Sequence, residues 1–168
     1  MASKDTGKGW VCEWIRENFP MNAQILDVGA CDGKWRRMLF DYPNMEAVEA
    51  WKQNCENIRH LYRRIYCGEM VNFDWDWYDL IIFGDVIEHM TVEDAKQVLR
   101  HAYWKCSDMI VAVPFLWKQG PLDGNPYEEH IQDDLTPEIM KERYPMLEVL
   151  HEAGSKYCYY HKRKQKTL

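Results

Sequence analysis

The amino-acid sequence lacks the features of a membrane or secreted protein. No apolar run approaches the ~18 residues that a membrane-spanning helix needs. The first residues, 1–8, are polar and lack the apolar stretch of a secretory signal. We therefore expect a cytoplasmic protein that makes no membrane contact.

The sequence also lacks any C-x-x-C pair. This disfavours a zinc site and a thioredoxin-type redox centre, so we predict reduced thiols and no metal site. The six cysteines are scattered along the chain, at Cys12, Cys31, Cys55, Cys67, Cys106 and Cys158.

Internal repeats, low-complexity stretches and Gly/Ser linkers are absent as well. The chain has 168 residues, of which 46% are hydrophobic and 29% are charged, and this predicts one globular domain over residues 1–168. Within it we expect an N-terminal helix cap at 1–21, a core at 22–161 and a basic tail at 162–168.

The charge balance argues against a general nucleic-acid-binding protein, because such proteins are usually basic. Lys plus Arg number 21 and Asp plus Glu number 27, which gives a net charge of −6. The basic residues of the tail are typical of a solvated terminus: Lys162, Arg163, Lys164 and Lys166. We do not expect nucleic acid as a partner.

Apolar patterning alternates between helical and strand periods along the chain, which predicts an α/β fold with a parallel sheet and helices on both faces. The last two strands are joined by a segment too short for a crossover, so they should pair antiparallel. The predicted helices are 10–19, 34–40, 53–64, 92–104 and 137–143, and the predicted strands are 23–28, 45–50, 64–67, 78–83, 109–113, 147–151 and 157–161.

The turn after the first strand, residues 27–33, reads Asp-Val-Gly-Ala-Cys-Asp-Gly. Its small residues let backbone amides approach a ligand at the carboxyl end of the strand. Cys31 and Lys34 occupy the second and third glycine positions of the dinucleotide fingerprint G-x-G-x-x-G, and the phosphate loop G-x-x-x-x-G-K-[ST] is not met either. An acid at Asp27 disfavours phosphate and suits a ligand with an ammonium group.

Residues 25–33 (Ile-Leu-Asp-Val-Gly-Ala-Cys-Asp-Gly) resemble the first motif of the class I S-adenosylmethionine-dependent methyltransferases. That motif is an acid followed by glycines at alternate positions, and Cys31 stands in place of the middle glycine. The resemblance extends over residues 22–161. It implies a Rossmann-like class I methyltransferase fold, with a mostly parallel seven-stranded sheet and an antiparallel last strand.

Further motifs of the family follow in the expected order. Residues 84–90 (Gly-Asp-Val-Ile-Glu-His-Met), after the fourth strand, resemble the "LEH" stretch of small-molecule methyltransferases of the ubiquinone-biosynthesis type. Residues 111–114 end the fifth strand as in many of these enzymes. An acid ends the second strand at Glu49, and an acid and an apolar residue follow the third, at Glu69 and Met70.

The resemblance implies S-adenosylmethionine (SAM) as cofactor, S-adenosylhomocysteine (SAH) as product and a small-molecule acceptor that is methylated on oxygen or nitrogen. In the family pattern Glu49 accepts the ribose hydroxyls, while Glu69 and Met70 contact adenine. The implied SAM-binding residues are Asp27, Gly29, Ala30, Gly33, Glu49, Ala50, Glu69, Met70, Asp85 and Val86.

His89 is the candidate catalytic residue, since the family places it near the transferred methyl group and an imidazole can accept a proton from a hydroxyl or an amine. Capping a helix start and lining the cofactor pocket are its alternative roles. We expect its neighbour Glu88 to be structural and to hold backbone amides at this turn.

The segment 115–136 is too long for a simple connection, and we expect it to cover the substrate. Its candidate substrate residues are Phe115, Trp117, Tyr127 and His130. No Lys or Arg occurs between residues 119 and 138, where the acids are Asp123, Glu128, Glu129, Asp133, Asp134 and Glu138. This charge favours a neutral or amine-bearing acceptor over an anionic one; a solvated acidic surface is the alternative.

Four tryptophans have two interpretations each. Trp10 and Trp14 either close the pocket or belong to the core, and Trp75 and Trp77 either flank adenine or pack below it.

Two other functions stay open at this stage. One is a catalytically silent, methyltransferase-like binding or regulatory module, which Cys31 in the glycine turn keeps open. The other is an NAD-dependent Rossmann oxidoreductase, against which the missing G-x-G-x-x-G and the acid at Asp27 argue. The sequence does not decide the identity of the acceptor, or between a monomer and a homodimer.

Overall fold

The computed structural model describes residues 6–122 and 124–163, so Asp123, Lys164 and Lys166 lie outside the described residues. The helices are α1 (Lys8–Asn18), α2 (Lys34–Met38), α3 (Lys52–Ile58), α4 (Val92–Trp104) and α5 (Pro137–Arg143). The strands are β1 (Ile25–Val28), β2 (Met45–Glu49), β3 (Arg64–Cys67), β4 (Tyr78–Gly84), β5 (Cys106–Pro114), β6 (Leu147–Glu152) and β7 (Tyr157–Lys162). Within the described ranges, no helix has the length and apolarity that a membrane crossing requires.

The seven strands form one sheet in the order β3-β2-β1-β4-β5-β7-β6. Neighbours pair in parallel from β3 through to β5, whereas β7 runs antiparallel to both β5 and β6. This confirms the predicted α/β class, including the antiparallel last strand. The strand order reverses at β1, which lies between β2 and β4, and ligands of open α/β sheets bind at such a switch point.

Alternate residues of β4 enter two apolar layers, one on each face of the sheet. Ile81 and Phe83 pack on the face that α4 covers, and Leu80 and Ile82 pack on the face that α1 covers. Because both faces are buried, the strand reads as a continuous apolar run. The sheet is therefore the middle of three layers.

Local sequence signals set several element boundaries. Thr91 begins α4, since its hydroxyl accepts the Asp94 backbone N–H at 3.1 Å, and Thr136 begins α5 through the Ile139 N–H at 3.2 Å. The prediction for α3 is wrong at its end: the helix stops at Ile58 rather than continuing to residue 64. The chain turns there so that the Arg63 N–H can reach the Met45 carbonyl at 2.9 Å and start the next strand pair.

The cysteines also depart from prediction. Cys55 in α3 and Cys67 at the end of β3 are joined in a disulfide, whereas we expected every thiol to be reduced. The remaining four cysteines are free: Cys12, Cys31, Cys106 and Cys158.

Candidate functional site

A cavity of about 250 Å³ lies at the carboxyl ends of the parallel strands, at the switch point beside β1. It is lined by residues that directly follow β1, β2 and β4 and by the loop after β5. Most of the residues predicted to bind SAM lie in its wall: Gly29, Ala30, Glu49, Ala50, Met70, Asp85 and Val86. Their role in binding stays a prediction.

The turn after β1 has positive φ angles at Gly29 and Cys31, and this conformation favours glycine. Gly29 has φ 67°, and a Cβ there would lie 2.7 Å from Cγ2 of Val86, so any side chain would collide across the cavity floor. Cys31 adopts a left-handed conformation with φ 48°. This explains why the family places a glycine where this chain has cysteine, since a residue with a Cβ is strained in that conformation.

Glu49 is held rigidly at the end of β2. One carboxylate oxygen, Oε2, accepts the Cys31 backbone N–H at 2.8 Å, and the other, Oε1, accepts the Trp51 N–H at 2.9 Å. The residue is 5% exposed, and burial raises the pKa of its carboxyl. Oε1 also accepts the Asn54 side-chain amide at 3.5 Å. Oε2 therefore keeps a lone pair for a ligand hydroxyl, and a hydroxyl at Oε1 would replace this long Asn54 contact.

Asp85 directly follows β4 and is fixed by two distant elements. The buried Lys8 ammonium of α1 donates to its Oδ2 at 3.2 Å, and the Tyr157 hydroxyl of β7 donates to its Oδ1. A buried charge is tolerated when it is paired in this way. The contact ties α1 and β7 to the end of β4, and Tyr157 itself lines the cavity.

Asp27 is not among the residues that line the cavity, and its contact with an ammonium group of the ligand stays a prediction. Its side chain points behind the glycine turn, is completely buried, and accepts the Tyr62 hydroxyl at 2.5 Å through Oδ2. Burial raises the pKa of Asp27 to about 7. Its other oxygen, Oδ1, is buried and has no hydrogen-bond partner among the described residues.

Three other predicted site residues lie outside the cavity wall. Gly33 faces Leu61, whose Cδ1 would lie 2.7 Å from an added Cβ. Glu69 accepts the Tyr127 hydroxyl at 3.1 Å, so it anchors the loop between β5 and α5 instead of lining the cavity. Phe115 is a core residue, because the chain turns inward after β5.

The loop between β5 and α5, here called the covering loop, folds back over the end of β4. The Glu88 carbonyl accepts the N–H groups of Ile131 and Gln132 at 2.8 and 2.9 Å, and Tyr127 bonds Glu69 on the opposite side. Trp117, Tyr127 and His130 line the cavity, and their contact with a substrate stays a prediction. Among the described acids of the loop, Glu128 alone lines the cavity; Asp134, for example, pairs with Arg143 at 2.8 Å.

The four tryptophans with two interpretations lie away from the cavity. Trp10 stacks on His151 with ring centroids 4.3 Å apart, and Trp14 contacts Phe19 edge to face. Trp75 is buried in the core below Phe83, while Trp77 is 59% exposed. Trp14 and Trp75 therefore fit the core interpretation, whereas Trp10, which is 42% exposed, and Trp77 lie at the surface, which neither interpretation predicted.

His89 lines the cavity beside a second histidine. Its Nδ1 lies 3.1 Å from the Glu129 carbonyl, and its ring centroid is 4.7 Å from that of His130. Burial, together with the neighbouring His130, lowers the pKa of His89 to about 4. A general base works best with a pKa near ambient pH, so this imidazole is weakly suited to accept a proton.

Glu88 is the residue that sequence reasoning missed. It is 1% exposed, and neither carboxylate oxygen has a hydrogen-bond partner among the described residues. The expectation that its side chain holds backbone amides is therefore wrong; its backbone carbonyl holds the loop. Burial and then Asp85 raise its pKa well above the usual range. In the sequence, its position next to the candidate catalytic residue His89 was the signal that could have placed Glu88 in the site.

No protein-family model and no curated protein sequence matches this chain. Solved structures do match it. A SAM-dependent methyltransferase from Clostridium acetobutylicum is 15% identical with a TM-score of 0.72, and covers 95% of this chain and 92% of its own. DhpI, solved with SAM and HEP, is 13% identical with a TM-score of 0.74. The match covers 95% of this chain and 86% of the DhpI chain.

A third match is the glycopeptide N-methyltransferase MtfA with SAH, at 12% identity, a TM-score of 0.66, and coverage of 96% of this chain and 91% of its own. Likeness at this identity defines the fold. The chain has the fold of the SAM-dependent methyltransferases, as its motifs indicated. The resemblance to the ubiquinone-biosynthesis type stays a prediction.

The strained Cys31 gives a stability prediction. We expect Cys31→Gly to be more stable than Cys31→Val by about 1–3 kcal/mol, because a β-branched residue is poorly tolerated at positive φ. Urea unfolding of the two variants and the parent measures this difference. Equal stabilities would show that the turn adopts another backbone conformation in solution.

Proposed function

We propose that this chain binds SAM and transfers its methyl group to oxygen or nitrogen of a small-molecule acceptor, leaving SAH. One observation carries the proposal: the buried Glu49 and the Gly29 turn face one cavity at the switch point of a sheet with the methyltransferase fold. The proteins DhpI and MtfA were solved with SAM and SAH, respectively, which supports the choice of cofactor.

The cavity residues fit the parts of SAM. Glu49 offers two carboxylate oxygens to the ribose hydroxyls, and Met70 offers an apolar contact for adenine. The missing side chain of Gly29 leaves room for close backbone approach at the methionine end. When bound, SAM supplies an electrophilic methyl group on a sulfonium sulfur, and the protein's task is positioning and exclusion of water.

The acceptor side is formed by Trp117, Tyr127 and His130, which cover the cavity. Carboxylates outnumber ammonium groups in the cavity wall, which favours a neutral or amine-bearing acceptor over an anionic one. The carboxylates are Asp32, Glu49, Asp85, Glu88 and Glu128, and the ammonium groups are Lys34 and Lys156. A cytoplasmic location stays a prediction from the sequence.

Calorimetric titration with SAM, SAH and NAD tests the proposal. We expect SAM and SAH to bind with dissociation constants on the order of micromolar and NAD not to bind. Binding of NAD would favour an oxidoreductase. No binding of any of the three would overturn the proposal and favour the catalytically silent module, for which the strained Cys31 is the structural reason.

A further inference from the structure

Three side chains on the acceptor side of the cavity form a cluster that the methyltransferase motifs do not explain. Glu88, His89 and His130 each offer one ligand atom, and these atoms all lie within 4.8 Å of one another. Glu88 and His89 belong to the short turn Ile87–His89 after β4, and His130 comes from the covering loop. All three line the cavity.

Both histidines are oriented by backbone carbonyls. His89 Nδ1 lies 3.1 Å from the Glu129 oxygen, and His130 Nδ1 lies 2.7 Å from the Trp117 oxygen. A carbonyl oxygen only accepts hydrogen bonds, so each Nδ1 carries the hydrogen and each Nε2 presents a lone pair. A carbonyl on the far nitrogen is the usual arrangement for metal-binding histidines, because it fixes both the tautomer and the ring.

The carboxylate of Glu88 supplies the third ligand atom of the cluster. It is buried, and within the described ranges neither of its oxygens has a hydrogen-bond partner. A buried carboxylate without partners is costly, and a cation held between it and the two imidazoles removes that cost. Asp85, which precedes Glu88 by three residues, already pairs with Lys8 at 3.2 Å.

We infer that Glu88, His89 and His130 form a binding site for one divalent transition-metal ion. Two imidazole nitrogens and one carboxylate suit Zn²⁺, Fe²⁺, Mn²⁺ or Co²⁺ better than Mg²⁺ or Ca²⁺, which prefer oxygen ligands throughout. Three protein ligands leave coordination positions open toward the cavity. This replaces the expectation, from the scattered cysteines, of a chain without a metal site.

The open positions define an acceptor class, and this step rests on the proposed function. A metal ion in the wall of the acceptor pocket binds an oxygen donor and lowers the pKa of a bound hydroxyl. The site therefore favours an acceptor that carries a hydroxyl group.

Cobalt titration of the chelator-treated protein tests the metal site without any activity assay. We expect one Co²⁺ to bind with visible absorption bands, and Glu88→Gln, His89→Ala and His130→Ala each to weaken binding by at least about tenfold. His60→Ala, which removes an exposed histidine outside the cluster, is the matched control and should bind as the parent does. A parent that takes up no Co²⁺, or affinity unchanged in all three cluster variants, would overturn the site.

Two measurements on the parent protein keep the test decisive if a variant fails to fold. Bound Co²⁺ should protect His89 and His130, but not His60 or His101, from diethylpyrocarbonate, as mapped by mass spectrometry; equal labelling with and without Co²⁺ contradicts the site. Acetohydroxamate, an oxygen ligand, should shift the Co²⁺ bands, and unshifted bands would overturn the open coordination positions. Calorimetry with SAM is run separately, so loss of the proposed function and loss of the metal site are distinguishable.

Discussion

Replacing Glu49 by alanine is expected to raise the dissociation constant for SAM tenfold or more. A hydrogen bond to a charged group contributes about 1.5–3 kcal/mol, and 1.4 kcal/mol corresponds to a factor of about ten. The carboxylate also accepts the Cys31 N–H at 2.8 Å, so alanine removes both the ribose contact and a support of the glycine turn. Glu49→Gln, which keeps one oxygen acceptor, should give a smaller loss.

Calorimetry with SAM measures these effects, and thermal melting confirms that the variants are folded. Glu56→Ala is the matched control, since Glu56 lies on α3, which follows Glu49, but is exposed and should leave the affinity unchanged. Unchanged affinity in folded Glu49→Ala would contradict the role of Glu49, whatever the fate of the metal site.

The contribution of Asp27 to the stability of the ligand-free protein is expected to fall as the pH rises from about 4 to about 7. Burial raises the pKa of Asp27 to about 7, whereas an aspartate in the unfolded chain titrates near 3.9. Between these values the folded protein keeps a proton that the unfolded chain has lost, so the stabilisation is complete below pH 4 and is lost by pH 7. Linkage gives a contribution of up to about 4 kcal/mol.

Asp27→Asn isolates this contribution, because the amide does not titrate and its oxygen can still accept the Tyr62 hydroxyl. In denaturant unfolding between pH 4 and pH 8, the free energy of unfolding of the parent should fall relative to that of this variant by up to about 4 kcal/mol. The slope that remains in Asp27→Asn comes from other groups: Glu88, whose pKa is raised, makes the stability fall with rising pH, whereas His89, whose pKa is lowered to about 4, makes it rise. Asp74→Asn, a change at an exposed carboxylate, should keep the parent slope. If the Asp27→Asn and parent curves run parallel, Asp27 does not titrate in this range.

The parts of the fold that sequence reasoning predicted correctly depend on local patterns. The apolar run of β4 indicated a strand buried on both faces, and the short link before β7 indicated an antiparallel partner. The end of α3 was missed because its cause is a backbone hydrogen bond from Arg63 to Met45, in another strand. Periodicity within a segment carries no information on such a contact.

In the candidate site, too, some features follow from local sequence patterns and others from contacts between distant residues. Glu49 and Gly29 lie at strand ends, where topology alone brings them to one cavity. The direction of the Asp27 side chain depends on Tyr62, and the cluster of Glu88 with His130 depends on how the covering loop folds back. Neither follows from spacing, because these residues are distant in the chain and meet only after the sheet has formed.

The contact of Lys8 and Tyr157 with Asp85 constrains the order in which the protein becomes functional during synthesis. Lys8 and Tyr157 are 149 residues apart, and Asp85 lies between them in the chain. A growing chain that has released α1 and β4 still lacks the hydroxyl that completes the Asp85 side chain's partners. Because β7 is inserted between β5 and β6, a nascent chain shorter than this also lacks the strand that joins β6 to the rest of the sheet, and the Tyr157 side chain that lines the cavity.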